Sequence, residues 1–391
     1  MDKFKIVCIG FPKWKGNYVK STVMLMTRLA KYYDVLYADY QYTIKDLIIG
    51  ILKPKNQVPV LRIIGLKSRV EVISAGTSNI FLYTSPPMIP INWISSKLMY
   101  DFMLRVNNFI FSFFLKRVLN QLNFENRIVI NAFNPFYGVD NVNKLGELKT
   151  IYYCYDQIAA AQWANKHGSR LENDYLTKVD AVVTTSDTLY REKSKLNQNT
   201  FCVPNGVDYQ LFSRFDQLSD QDELKIGYIG SIDYRLDYPL LEYLFQELPD
   251  LKFEFIGRIV DTSSVNNLKR FSNVDFKGPL PYELLPEWLS SYTICIIPFV
   301  KNEFTRSIYP MKINEYLAAS KLVVITDFSD LPEFDNIVLK AHSKEEFLEH
   351  IKLIQRDKAN FDRNILNGKK VAYNNSWENR ALEFSKIIQK L

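Results

Sequence analysis

Two successive Rossmann-like α/β domains are what this sequence predicts, and three observations carry that expectation. The chain has 391 residues, more than one ordinary hydrophobic core organises. Short, nearly continuous apolar runs alternate with helix-periodic segments, the pattern of a parallel sheet covered on both faces. The alternation stops at a polar stretch over 217–223 and then restarts, so each half holds its own sheet. The expected division is 1–208 for the first domain, 209–222 for a linker, 223–370 for the second domain and 371–391 for a C-terminal helix packing across both.

In the first half the apolar run 4–10 is followed by a polar loop, 11–17, and a periodic segment, 19–32, which is a β-loop-α opening. Further strands are predicted at 34–40, 70–75, 79–84, 128–133, 150–155 and 181–185. In such sheets ligands sit beyond the C-terminal strand ends, which singles out Lys15 and Gly16 in the first loop and Asp156 after the 150–155 strand. Gly16 permits close backbone approach to a ligand or serves as an ordinary turn glycine. Asp156 is either a carboxylate aimed at a cleft or the cap of the next helix. Segment 94–122 mixes Phe102, Phe109, Phe111, Phe113 and Phe114 with Arg105, Lys116 and Arg117. It is too interrupted to span a bilayer, and reads as a core helix or as one that docks into the interface of an anionic membrane.

The second half predicts strands at 224–229, 251–256, 274–277, 294–298, 322–326 and 337–339. Helices are expected at 239–247, 283–291, 310–319 and 344–355, and a helical tail carries Trp377 as an anchor between domains. Pro310 suits a first helical position, where a missing N–H costs nothing. Lys312 then lies in the first turn with Glu315 one turn deeper on the same face. A cation beside free helix-end N–H groups, with an acid behind it, fits a nucleotide diphosphate, phosphates at the tip and ribose hydroxyls on the acid. The same spacing also describes a plain surface ion pair. What favours the ligand is the company expected on that sheet edge: Gly230 and Ser231 with Arg235, then Gly257 and Arg258, Gly278, and Pro298 with Phe299, while Arg306 and Ser307 lead into the helix.

Composition narrows the classes. With 47% hydrophobic and 24% charged residues the chain is globular. Cys8, Cys154, Cys202 and Cys295 stand apart in apolar runs, with only three histidines in the chain, so buried thiols are expected rather than a metal site. No signal peptide is read at the N-terminus, and a cytoplasmic protein is expected. Residues 1–200 hold 26 Lys and Arg against 15 Asp and Glu, whereas 201–391 hold 23 against 28. The basic half suits an anionic surface such as a membrane, or reflects scattered solvated lysines. No nucleic-acid-binding motif accompanies it.

The succession from Gly230 to Asp327, above all the Pro310, Lys312, Glu315, Tyr316, Leu317, Ala318 run before a Val-Val strand, resembles the second domain of GT-B glycosyltransferases. The likeness is to the bacterial group that builds surface polysaccharides, including teichuronic-acid-type transferases. The resemblance implies a GT-B fold and a hexosyltransferase-type enzyme moving sugar from a nucleotide-diphosphate donor to a lipid-linked or oligosaccharide acceptor at the inner membrane face. Lys312 would contact the diphosphate, Glu315 the ribose, Arg306 or Arg235 would balance charge, and the Gly278 turn would meet the base. Two departures stand out. Ser307 occupies the place of a second acid found in many retaining members, and the Arg-x-x-x-x-Lys phosphate pair is reduced to Arg235. Asp156 is the candidate base for an inverting reaction. With Asp220 and Asp222 confined to the linker, no metal cofactor is expected. A non-catalytic nucleotide-sugar-binding partner and a nucleotide-sugar epimerase are the alternatives.

Overall fold

Strand β1 (Lys5–Gly10) is buried from Ile6 onward, which explains why it reads as a continuous apolar run rather than an alternating one. The computed structural model describes all residues except 1–3, 17–18, 54–57, 76–77, 161–163, 165 and 216–223. Two compact units emerge: residues 1–203 with 381–391, and residues 204–380.

The first unit adds β2 (Asp34–Ala38), β3 (Val70–Ala75), β4 (Ser78–Tyr83), β5 (Arg127–Ala132), β6 (Lys149–Cys154), β7 (Ala181–Thr184) and β8 (Thr200–Cys202). They form one eight-stranded sheet in the order β3-β4-β2-β1-β5-β6-β7-β8. Every pairing is parallel except the β3–β4 hairpin. Helices α1 (Ser21–Leu29), α2 (Ile44–Leu52), α3 (Val60–Ile63) and α4 (Lys97–Gln121) fall between the strands. The last residues of the chain return to this unit: the Tyr33 and Ser385 hydroxyls are 2.6 Å apart, and Phe384 meets Tyr153 edge-on.

The aromatic segment of the first half is helix α4, and it is a core helix on one side only. Tyr100, Leu104, Phe111 and Leu115 are buried. On the outer side Leu98, Phe102, Phe109 and Phe113 are exposed, with Arg105 and Lys116 between them. Helix α2 also turns apolar residues outward: Ile44, Ile48, Ile51 and Leu52 are exposed at helical spacing. Among the described residues no helix is long and apolar enough to cross a membrane.

The second unit contains β9 (Lys225–Ile229), β10 (Lys252–Ile256), β11 (Val274–Gly278), β12 (Ile294–Ile297), β13 (Leu322–Thr326) and β14 (Leu339–Ala341). All pairings are parallel, in the order β11-β10-β9-β12-β13-β14. This is the doubly wound order 3-2-1-4-5-6, and it places the switch point between β9 and β12. The residues that follow those two strands, Gly230 and Phe299, therefore open the crevice where such folds take ligands.

Several boundaries differ from the sequence reading. The chain enters the second unit at residue 204, because Asn205 Nδ2 donates to the Tyr309 carbonyl and Val207 pairs with the 375–377 segment. Residues 209–215 of the expected linker are not linker: Asp208 caps a short helix, Tyr209–Phe212, whose Phe212 is buried, and a 3-10 turn follows. The rest of the linker, 216–222, lies outside the described residues. The expected terminal helix is two helices, Asp362–Asn374 and Trp377–Lys390, broken where Asn375 and Ser376 pair with Val207. Trp377 is buried in the second unit, where a Cβ on Gly206 would strike its ring. The strand expected at 337–339 forms two residues later, after a 3-10 turn at Pro332–Phe334.

Candidate functional site

The helix predicted at 310–319 spans Met311–Ala318, with Pro310 in the N-cap place, so Lys312 is its second residue. Its position against the sheet is set by Tyr316, whose hydroxyl accepts from the Ile229 N–H at 2.8 Å. The open helix end thus lies beside the C-terminal edge of β9. Lys312 Nζ donates to the Tyr228 hydroxyl at 3.1 Å and sits 4.6 Å and 5.0 Å from the Tyr228 and Phe299 ring centroids. Two aromatic faces hold the amine, and among the described residues no carboxylate hydrogen-bonds it.

Glycines make this arrangement possible. Gly230 has φ +154°, and a Cβ there would strike Lys312 Nζ. Gly257 has φ +151°, and its Cβ would land on the Gly230 backbone. The ends of β9 and β10 therefore meet main chain to main chain, with Gly230 N–H donating to the Ile256 carbonyl at 2.8 Å. Gly257 N–H donates to the Gly278 carbonyl at 2.8 Å, so three strand ends form one continuous edge. Gly278, at φ +76°, has open space where a side chain would be.

Glu315 is 7% exposed and lies one turn behind Lys312. Burial raises its carboxyl to about 7, against the downward pull of Lys312 and of a hydrogen bond from Tyr282. Burial likewise lowers Lys312 to about 7, with nearby Arg235 pushing the same way and Glu315 opposing. The two groups thus sit near neutrality in a site poised for a charged ligand.

Arg235 is held differently from the sequence expectation. Its guanidinium is clamped by Asp233, with Nε and Nη2 donating to the two carboxylate oxygens at 2.8 Å and 2.7 Å. The ion pair offsets most of the charge that Arg235 would bring to a phosphate. Ser231 precedes them in the same loop, its carbonyl accepting from the Tyr228 hydroxyl at 2.9 Å. Arg258 is exposed on the next loop, tied in through its carbonyl, which accepts from Ile232 N–H. Arg306 ends the short helix Glu303–Arg306 and is exposed; Ser307 is buried, its hydroxyl donating to the Phe304 carbonyl at 2.8 Å.

Phe299 stands on the sheet edge where the sequence placed it, whereas Tyr228, Asp233 and Tyr282 had no site role assigned from sequence. Tyr228 and Phe299 stand at the ends of β9 and β12, the two strands that flank the switch point, and that adjacency was the available signal. The Asp233–Arg235 clamp has no spacing signature.

Within the first unit, Asp156 lies two residues past β6, and its carboxylate accepts from the Gln157 N–H at 2.9 Å. Gln157 in turn accepts from Lys193, whose buried ammonium pairs with the buried Glu172 at 2.9 Å. This anchors the loop behind Asp156. Lys15 pairs with Glu71 at 2.9 Å, and a Cβ on Gly16 would strike Lys20.

Residues 223–357 match the family model for glycosyl transferases group 1. A Bacillus subtilis protein named as a teichuronic acid biosynthesis glycosyltransferase, TuaH, is 28% identical over 200 residues, 46% of this chain and 50% of that one. The match thus spans about half the length of the relative. Among solved structures, sucrose-phosphate synthase from Thermosynechococcus elongatus is similar with a TM-score of 0.71 at 15% identity, covering 99% of this chain and 98% of its own. Anabaena HepE, in complex with UDP and glucose, gives 0.64 at 13%, covering 99% and 100%. An Escherichia coli trehalose-6-phosphate protein bound with UDP-2-fluoro glucose gives 0.70 at 9%, covering 99% of each chain. At these identities the likeness establishes the fold: α/β, GT-B, with two Rossmann-like domains.

Proposed function

We propose that this chain is a glycosyltransferase that moves a sugar from a nucleotide-diphosphate donor to a lipid-linked saccharide acceptor in cell-surface polysaccharide synthesis. The carrying observation is Lys312 beside the open helix end, under the Gly230 loop, with the buried Glu315 one turn behind. In this reading Lys312 and the helix-end N–H groups take the diphosphate and Glu315 takes the ribose hydroxyls. Gly230, Ser231 and the Gly278 turn line the donor site, with Arg235, Arg258, Arg306 and Ser307 around it. The UDP ligands named for the structural relatives make UDP-glucose the first donor to try.

Donor charge is balanced in this proposal by Lys312 and backbone N–H groups, and no metal is assigned to the step. The first unit supplies the acceptor side. Asp156, with its loop braced by Gln157 and Lys193, is proposed to take the acceptor hydroxyl proton. Lys15 and Gly16 stand on another loop at the same sheet edge. The outward apolar stripe of α4, with Arg105 and Lys116 within it, supports peripheral association with an anionic membrane on the cytoplasmic side.

The test is sugar transfer from labelled UDP-glucose and other nucleotide sugars to a bacterial membrane-lipid extract, with and without EDTA. Transfer that survives EDTA and falls at least about a hundredfold in Asp156→Asn, with donor affinity kept, supports the reading. Donor binding without transfer to any acceptor would favour a non-catalytic binding partner.

A further inference from the structure

The first unit contains a cavity of about 710 Å³ that the roles above leave unused. Its volume falls within the range of about 300–1,000 Å³ typical of small-molecule sites. Buried Tyr100, Leu104 and Ile91 line it, with Ile49 of α2 on another side. Lys45 and Trp93 line it too and are exposed, so they mark its rim.

The side-chain amides of Asn107, Asn134 and Gln41 in the cavity wall are already engaged. Asn107 is closed on the Ile89 main chain, accepting from its N–H and donating to its carbonyl, each at 2.9 Å. Asn134 donates to Gln41 Oε1 at 2.6 Å, and Gln41 Nε2 donates to the Asp39 carbonyl at 2.9 Å. With these amides engaged, the wall offers a ligand mainly apolar and aromatic surface, together with the phenol groups of Tyr40, Tyr100 and Tyr137. A sugar, which must exchange many water hydrogen bonds for protein ones, is poorly served by such a wall.

The rim adds two cues. Two cations stand there against one lining carboxylate, Asp46, which accepts from the Thr43 N–H and hydroxyl: Lys45 is exposed, and Lys13 Nζ lies 5.3 Å from the ring centroid of Tyr40, itself a lining residue. The exposed apolar side chains of α2, Ile44, Ile48 and Ile51, belong to the same helix that supplies Lys45 and Ile49 to the cavity. We infer that this cavity takes the apolar chain of a lipid phosphate, with the phosphate at the Lys45 and Lys13 rim. The inference rests on the proposal of a lipid-linked acceptor and specifies where that lipid enters the first unit.

Farnesyl phosphate, used as a monomer in detergent-free buffer and titrated calorimetrically into the full chain, is the direct probe. It should bind saturably at one site, and geranyl phosphate at least about tenfold more weakly, since each buried methylene adds to affinity. Inorganic phosphate alone should give no saturable heat. Ile49→Glu should weaken farnesyl phosphate at least about thirtyfold by placing a charge against the chain. Lys45→Glu, at an exposed position, should weaken it about fivefold or more while leaving the melting temperature near that of wild type.

Vesicles containing an anionic lipid separate this cavity from general adsorption. If Ile49→Glu loses farnesyl phosphate yet binds vesicles as wild type does, the cavity is a discrete chain site. Equal loss of both, or affinity independent of chain length, overturns the inference. Farnesyl phosphate binding in a chain that binds no nucleotide sugar would uphold the cavity and sink the glycosyltransferase reading. Nucleotide-sugar binding with no response to farnesyl phosphate would do the reverse.

Discussion

Replacing Lys312 by Met should stabilise the ligand-free protein while weakening its hold on the donor. Burial takes the ammonium from its ordinary 10.5 to about 7, which corresponds to at most about 4 kcal/mol of stability lost at neutral pH. Lys312 keeps some exposure to water and faces Glu315, so screening and pairing reduce the expected gain on removing it to about 1–2 kcal/mol. Met retains the apolar stem between Tyr228 and Phe299, and no new cavity opens. In a unit of this size each kcal/mol moves the melting temperature by about 2–4 °C, so the ligand-free transition should rise by about 2–8 °C. Donor affinity should fall about tenfold to a hundredfold, the loss of one charge-assisted hydrogen bond to phosphate. Thermal melts with and without a nucleotide sugar read both effects. An unchanged or lower melting temperature together with wild-type donor affinity would refute the reasoning.

The same pair imposes a pH signature. Glu315 is raised in the folded state, so its contribution to stability falls as pH rises from about 4.5 to about 7; Lys312 is lowered, so its contribution grows as pH rises from about 7 to about 10.5. Together they should place a shallow stability minimum near neutrality, absent from a Lys312→Met, Glu315→Gln double variant in melts across pH. Because bound phosphate favours the charged lysine, donor binding above pH 7 should take up a proton, measured as a buffer-dependent heat in calorimetry. Gly257→Ala should cost about 1–3 kcal/mol, since its Cβ meets the Gly230 main chain at a positive φ, and chemical denaturation would record it. Phe102→Ser with Phe109→Ser should weaken binding to anionic vesicles about tenfold or more in flotation while leaving the melting temperature nearly unchanged, because both rings are exposed.

Much of the fold could be read from the strands because parallel sheets bury both faces, so β1, β6, β12 and β13 appear as nearly unbroken apolar runs. The order of the strands in space leaves no mark in the sequence. Elements defined by local hydrogen bonding were harder to read. The Thr200–Cys202 strand is only three residues long, and the break at 375–376 exists because Asn375 and Ser376 pair with Val207, far away in the chain. In the site, Lys312 and Glu315 were legible through helical spacing, and Gly230 through its place after a strand. The clamp of Arg235 by Asp233 was not, because an i, i+2 pair in a loop has no periodicity to reveal it. Nor was the outward apolar face of α2, since in so short a helix the sequence does not say which of its apolar residues meet the core.

The measurement that bears most directly on the donor-site reading is calorimetric titration of a nucleotide sugar into wild type and Glu315→Ala. The carboxylate is buried and its proposed task is to hold the ribose hydroxyls, so the variant should remain folded and lose donor affinity at least about thirtyfold. A folded Glu315→Ala protein that binds the nucleotide sugar as tightly as wild type would contradict the account.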